Sequence, residues 1–274
     1  MADPEPPTGL EVRDATVRFG GITALDGVSL AATAGEVVGV IGPNGAGKTT
    51  LFNLICGFVT PDSGSLHWRG QSLAGVRPDR LAGLGIARTL QGVGLFKGLT
   101  VLENVMAGAD HFRRTGLVSS LLALPTSDSD ERALRDRARA ALERVACEQV
   151  GGRLPGTLPY AVQKRVALAR ALVSKPELLL LDEPAGGLDA DELSALVELI
   201  GSLGSEIAVM LVDHHMDVVT AVCDRMVVLD FGRVIASGAS SEVRRDPQVL
   251  DAYLGREAGG AVATGAIEDG DARS

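Results

Sequence analysis

Aromatic side chains are scarce in this 274-residue chain: Phe, Trp and Tyr make up 3% of it, so the core must be built from Leu, Val, Ala and Ile. Such aliphatic cores are typical of buried parallel strands. Cysteine is nearly absent as well. Cys56, Cys147 and Cys223 are odd in number and far apart, which excludes a disulfide framework or a metal-spaced cluster and fits a reducing compartment. No run reaches the roughly 18–20 uninterrupted apolar residues that a membrane-spanning helix requires. The opening MADPEPPTGL is acidic and Pro-rich and lacks the apolar segment of a signal peptide. Basic residues are outnumbered, and the net charge of -9 argues against a nucleic-acid partner. Any role in a membrane process is therefore expected to run through partner proteins.

What is present reads as a globular α/β chain. Residues 10–19 alternate apolar and polar, the pattern of a half-buried strand, and Gly20-Gly21 separates them from a second strand at 22–30. EVVGVIG at 36–42 is a short aliphatic strand that runs into a glycine-rich turn, followed by helical spacing over 48–58. Further aliphatic strands are predicted at 177–182, 207–212 and 226–229, separated by helical patterns at 191–203 and 216–222. Strands alternating with helices predict a parallel sheet covered on both faces. The stretch 92–165 has no aliphatic strand run and is helical in pattern over 129–145, which predicts a helical subdomain inserted into the sheet domain. The expected organisation is a leader at 1–9, an α/β core from 10–91 and 166–255, the helical subdomain at 92–165, and a disordered Gly-, Ala- and acid-rich tail at 256–274.

Gly42-Pro43-Asn44-Gly45-Ala46-Gly47-Lys48-Thr49 matches the phosphate-binding pattern GxxxxGK[ST], is followed by Thr50, and lies between a predicted strand and a predicted helix. Glycines let successive N–H groups turn inward on phosphate oxygens, and the helix N-terminus adds positive potential. Lys48 is expected to reach the β- and γ-phosphates of ATP, and the Thr49 hydroxyl to ligate Mg2+. Asp182 and Glu183 end the strand LLLLD, at the edge of an open sheet where ligands bind. There Asp182 can hold Mg2+ and Glu183 can polarise an attacking water. His214 and His215 follow the strand IAVMLVD to the same edge, and their chemistry alone does not separate them.

In this order, GPNGAGKTTL, RTLQGVGLF, LLLLDEPAGGLD and VDHH resemble the ATP-binding cassette family over about residues 10–255. The resemblance implies a P-loop NTPase core with an N-terminal antiparallel β layer and an inserted helical subdomain. It also implies roles for single residues. Phe19 looks like the aromatic that stacks on adenine, Gln91 like the glutamine that senses Mg2+, and Glu183 like the general base. His214 looks like the switch histidine, and Asp189 belongs to a loop that crosses a dimer interface.

A narrower resemblance, to the branched-chain amino acid importer subfamily, rests on RTLQGVGLFKGLTVLENVMAG and GRVIASGASSEVRRDPQVLDAYLG. The insertion HFRRTGLVSSLLALP points to the longer of that importer's two ATPase subunits. What the subfamily implies is ATP-driven import of branched-chain or other hydrophobic amino acids, or related amides, with a second, different cassette subunit, integral-membrane permeases, an extracytoplasmic binding protein, and a peripheral place on the cytoplasmic face of the plasma membrane.

One segment departs from the family. Where most members have LSGGQ, this chain has Leu158-Pro159-Tyr160-Ala161-Val162, followed by Gln163. Pro159 lacks both the hydroxyl and the N–H, Ala161 adds a methyl where glycine allows close approach, and Val162 is apolar. The loop is expected to support phosphate transfer poorly. Two other readings compete with the importer: a lipopolysaccharide-extractor ATPase of the same family, and an ATP-dependent clamp that serves no transport.

Overall fold

The computed structural model describes residues 9–90, 92–112 and 125–252. Its first half runs β1 (Leu10–Phe19), β2 (Ile22–Ala32), β3 (Val37–Ile41), α1 (Lys48–Ile55), β4 (Ser63–Trp68), β5 (Gln71–Ser72), β6 (Ile86–Arg88) and α2 (Val101–Ala107). After α3 (Pro125–Arg144) and α4 (Tyr160–Leu172) come β7 (Leu178–Asp182), α5 (Ala190–Gly204), β8 (Ala208–Val212) and α6 (Met216–Val222). Then follow β9 (Arg225–Asp230), β10 (Arg233–Ala239) and α7 (Ser240–Val243), and the described chain ends in helical residues 247–252.

The strands form two sheets. One is antiparallel, in the order β2-β1-β4-β5; the other has the order β10-β9-β3-β8-β7-β6. In the second, β9, β3, β8, β7 and β6 are parallel neighbours, and only β10 pairs antiparallel. The aliphatic runs explain why these strands are central. Leu178 to Leu181 are all buried, and their side chains alternate between two cores. Leu178 and Leu180 join the antiparallel sheet and α1 on one face, whereas Leu179 and Leu181 join α4 and α5 on the other. Burying each such leucine contributes about 1.5–3 kcal/mol.

The helical segments between β6 and β7 pack as one group, with Val101, Val105, Leu134, Ala138, Leu142 and Val166 in the second core. Thr100 opens α2 with a reciprocal capping box to Glu103. Helix α4 runs across position 165–166, where the sequence pattern placed an edge of the helical subdomain. The leader 1–8, Gln91, most of the 111–125 insertion and the tail from 253 lie outside the described residues. Among the described residues, no helix is long and apolar enough to cross a membrane.

Candidate nucleotide site

The carboxyl ends of β3, β7 and β8 converge on one edge, and every charged candidate among the described residues sits there. From β3 the chain enters the 42–49 loop at Gly42, whose φ of 148° and closeness to the Leu229 carbonyl leave no room for a Cβ. Gly47, at φ 106°, lies as tightly against the Ala24 carbonyl and caps α1. Any other residue at either place would force the loop away from β2 and β9. The loop is pinned by Ala46 N–H to Pro43 O at 3.1 Å and by Gly232 N–H to Ala46 O at 3.0 Å. Lys48 Nζ lies across the loop, donating to Gly42 O at 2.6 Å and Pro43 O at 2.9 Å. Asn44, Gly45 and Thr49 are exposed, and Thr49 and Thr50 stand in the first turn of α1. Phe19 is 52% exposed at the end of β1 opposite Ile22, on the hairpin that also supports Gly47. This makes an apolar ledge beside the loop.

Asp182 closes β7, buried, with Arg88 Nη2 donating to its Oδ2 at 2.7 Å. Arg88 also donates to Asn53 at 2.8 Å and lies over the Phe52 ring, which ties β6 and α1 to Asp182. The Asp182 N–H donates to Thr89 Oγ1 at 3.2 Å. Thr49 and Asp182 offer the hard oxygen donors that suit Mg2+, one hydroxyl and one carboxylate.

Glu183 follows in a left-handed conformation, φ 48°, with its N–H on Val212 O at 2.8 Å. Asp213, fully buried, fixes the next turn. Its Oδ2 accepts from Ala185 N–H at 2.9 Å, and its Oδ1 accepts from the N–H groups of His214 at 2.8 Å and His215 at 3.0 Å. The same Oδ1 lies 2.7 Å from His215 Nδ1. The geometry thus separates the two histidines. The His215 ring is bound to Asp213, whereas the His214 side chain is 57% exposed and its Nδ1 is 3.8 Å from that oxygen.

From the other side, Lys164 Nζ donates to Glu183 O at 3.2 Å and Pro184 O at 2.9 Å. Burial pushes the Lys164 amine down, while the carboxylates of Asp213 and Glu183 oppose that shift. The 158–163 segment makes the start of α4. Leu158 is buried, Pro159 is the N-cap without a side-chain cap bond, and Ala161 is buried. Tyr160 is largely exposed, Val162 packs on the second core, and Gln163 donates back to Leu158 O at 2.9 Å. The N–H groups of the first turn have no acceptor within the helix and point out of its N-terminus. Asp189 caps α5 through a capping box with Glu192, so its side chain is already engaged. Gln91 lies outside the described residues. Arg88, Lys164 and Asp213 carry no spacing signal in the sequence; their roles depend on partners 28 to 94 positions away for Asp213 and Arg88 and 19 to 20 for Lys164.

Comparison with known proteins identifies the family. A family model described as ABC transporter matches residues 25–186, and one described as branched-chain amino acid ATP-binding cassette transporter matches residues 233–259. The chain is 40% identical to the high-affinity branched-chain amino acid transport ATP-binding protein LivG of Salmonella typhimurium, over 90% of this chain and 97% of that protein. Among solved structures it is similar to an ABC transporter cassette in its ADP conformation, with TM-score 0.78 and 30% identity over 90% of this chain and 98% of that one. It is also similar to a dimeric bacterial ABC transporter cassette, with TM-score 0.70 and 26% identity over 84% and 98%. A phosphate cradle, a buried carboxylate at the end of β7 and a family match across more than half the length lead to one conclusion: the chain belongs to the ABC transporter family, as one of its ATP-hydrolysing cassettes.

Proposed function

We propose that this chain drives a branched-chain amino acid importer, with Glu183 as general base and a second cassette completing its ATP site. Sequence similarity to LivG over almost the whole of both chains carries the substrate class, and the family match at 233–259 supports it. The chain's own residues divide the work. The 42–49 loop and Lys48 bind and orient the β- and γ-phosphates, and Phe19 offers a face to the adenine. Thr49 and Asp182, joined by Gln91, would hold Mg2+, which when bound would neutralise charge on the transferring phosphate. In this reading Glu183 takes a proton from the attacking water and His214 contacts the γ-phosphate, a choice supported by the His214 side chain being 57% exposed while the His215 ring is bound to Asp213.

Importer cassettes act with membrane permeases. The surface best suited to one is a groove of about 530 Å3 between α1 and the helical group, lined by Phe58, Leu81, Leu90, Phe96 and Arg170. Phe58, Leu90 and Phe96 are more than half exposed, an apolar patch that a peripheral subunit covers by docking. We place that permease on the cytoplasmic membrane, supplied by an extracytoplasmic binding protein.

The test is ATP hydrolysis by the chain reconstituted in proteoliposomes with its permeases and second cassette, with binding protein added either empty or loaded with leucine, isoleucine or valine. The expected result is faster hydrolysis with the loaded form, lost with Lys48→Ala, which removes the ammonium from the cradle. Hydrolysis that no branched-chain amino acid stimulates would overturn the substrate class.

A further inference from the structure

We propose that Lys164 is a positioning residue for the general base of its own chain: it holds the left-handed bend at Glu183 through the two carbonyls that follow. The inference rests on Glu183 being that base. A non-glycine residue at φ 48° sits in the left-handed backbone region that L side chains disfavour, and it persists only where neighbours over-determine it. Entry to the bend is fixed by Glu183 N–H on Val212 O at 2.8 Å, and its exit by Ala185 N–H on Asp213 at 2.9 Å. Between them, Pro184 has no N–H with which to close the turn. The turn's own closures are long, Gly186 N–H to Glu183 O at 3.4 Å and Leu188 N–H to Ala185 O at 3.3 Å, and neither reaches Pro184 O. What holds the two intervening carbonyls is the Lys164 ammonium, at 3.2 and 2.9 Å.

Lys164 is delivered from a different element. One turn before it on α4, the Tyr160 ring lies 5.4 Å from the ammonium. That ring also packs against Gly187, where a Cβ would come within 3.1 Å of it. The first two turns of α4 therefore grip the 183–187 turn at both ends, and α4 begins with the 158–163 segment offered to a second cassette. A displacement of α4 by about 1 Å would stretch both Lys164 bonds past hydrogen-bonding range. The start of α4 and the base of the same chain consequently move as one unit.

Two substitutions of Lys164 test this, read by phosphate release from labelled ATP in the assembly reconstituted with its second cassette and permeases, and by melting temperature and hydrogen–deuterium exchange of the full-length chain. Lys164→Met keeps the stem that packs beside Tyr160 and removes the donors; Lys164→Arg keeps donors. With Lys164→Met we expect kcat to fall about tenfold while KM for ATP stays within roughly twofold. Melting should stay near the parent value, and exchange should rise in the 183–188 peptide but not in the 42–52 peptide. Lys164→Arg should restore both kcat and protection. Glu183→Gln separates the two readings: if Glu183 is the base, it stops turnover alone, and adding Lys164→Met costs nothing further. Residual turnover by Glu183→Gln close to the parent would defeat the base assignment and this inference with it. A dead Glu183→Gln beside a Lys164→Met of parental kcat and exchange would defeat the inference alone. So would losses in kcat, KM and melting temperature together that Lys164→Arg does not repair, since those mark simple packing. For a parent too slow to time, the exchange comparison alone decides.

Discussion

His214 and His215 differ by one position and by the whole of their surroundings. Asp213 accepts three backbone N–H groups and binds the His215 ring, so that ring is part of the scaffold under the site. The His214 side chain is 57% exposed, and its Nδ1 stands 3.8 Å from the same carboxylate. Replacing His214 by Ala is expected to cut steady-state turnover at least tenfold, about 1.4 kcal/mol of barrier. His215→Ala should leave turnover within a few-fold and cost about 1 kcal/mol of stability, the usual worth of one hydrogen bond. A steady-state ATPase assay with the reverse ranking would move the γ-phosphate contact to His215. The motif order favoured His214 from the sequence, but the reason was not legible there: it is a buried carboxylate that binds only one of two adjacent rings. Arg88 was equally hidden. Nothing near it in sequence indicates that it pairs with Asp182 across a parallel strand pair. The three cysteines, which spacing excludes from a disulfide framework or metal cluster, are buried, and burial pushes the Cys223 thiol up to about 12.

At the scale of elements, the runs whose every residue is buried were the easiest to read. β3, β7, β8 and β9 lie within one or two residues of the expected positions, because a strand covered on both faces must be aliphatic throughout. β4, with the sequence SGSLHW, and the three-residue β6 escaped notice. They are short, half exposed or polar, and take their pairing from neighbours rather than from pattern. The helix after the phosphate loop ends at Ile55 instead of continuing to 58, since Gly57 adopts φ 70°. The start of α4 allows a test at this scale. Pro159 caps it without any side-chain bond, whereas a serine there can accept from the N–H two or three residues on. Pro159→Ser should therefore stabilise the chain by about 1 kcal/mol in urea unfolding, despite the freer unfolded backbone. A loss of stability would mean that the rigid entry supplied by Pro159 matters more than the cap.

At the scale of the whole molecule, the proposed function makes this chain one half of a two-cassette engine. The phosphate loop, Asp182, Glu183 and His214 gather at one sheet edge, while α4 starts in a different layer with Pro159 and Tyr160 exposed, Ala161 buried behind them and Val162 packed on the second core. An ATP held by this chain is expected to be completed by a second cassette, and that cassette's ATP would face Pro159, Ala161 and Val162. The first site should be fast and the second slow, so this chain by itself should turn over ATP weakly. The direct measurement is the ATPase rate of the isolated chain before and after Pro159→Ser, Ala161→Gly and Val162→Gln are combined. Val162 packs on the second core, so melting temperature is followed in parallel to ensure that the variant is folded. A regained contact made only in the transition state should raise the rate roughly 10²-fold. An isolated parent chain that already turns over several ATP per second, with no gain from the triple change, would contradict the account.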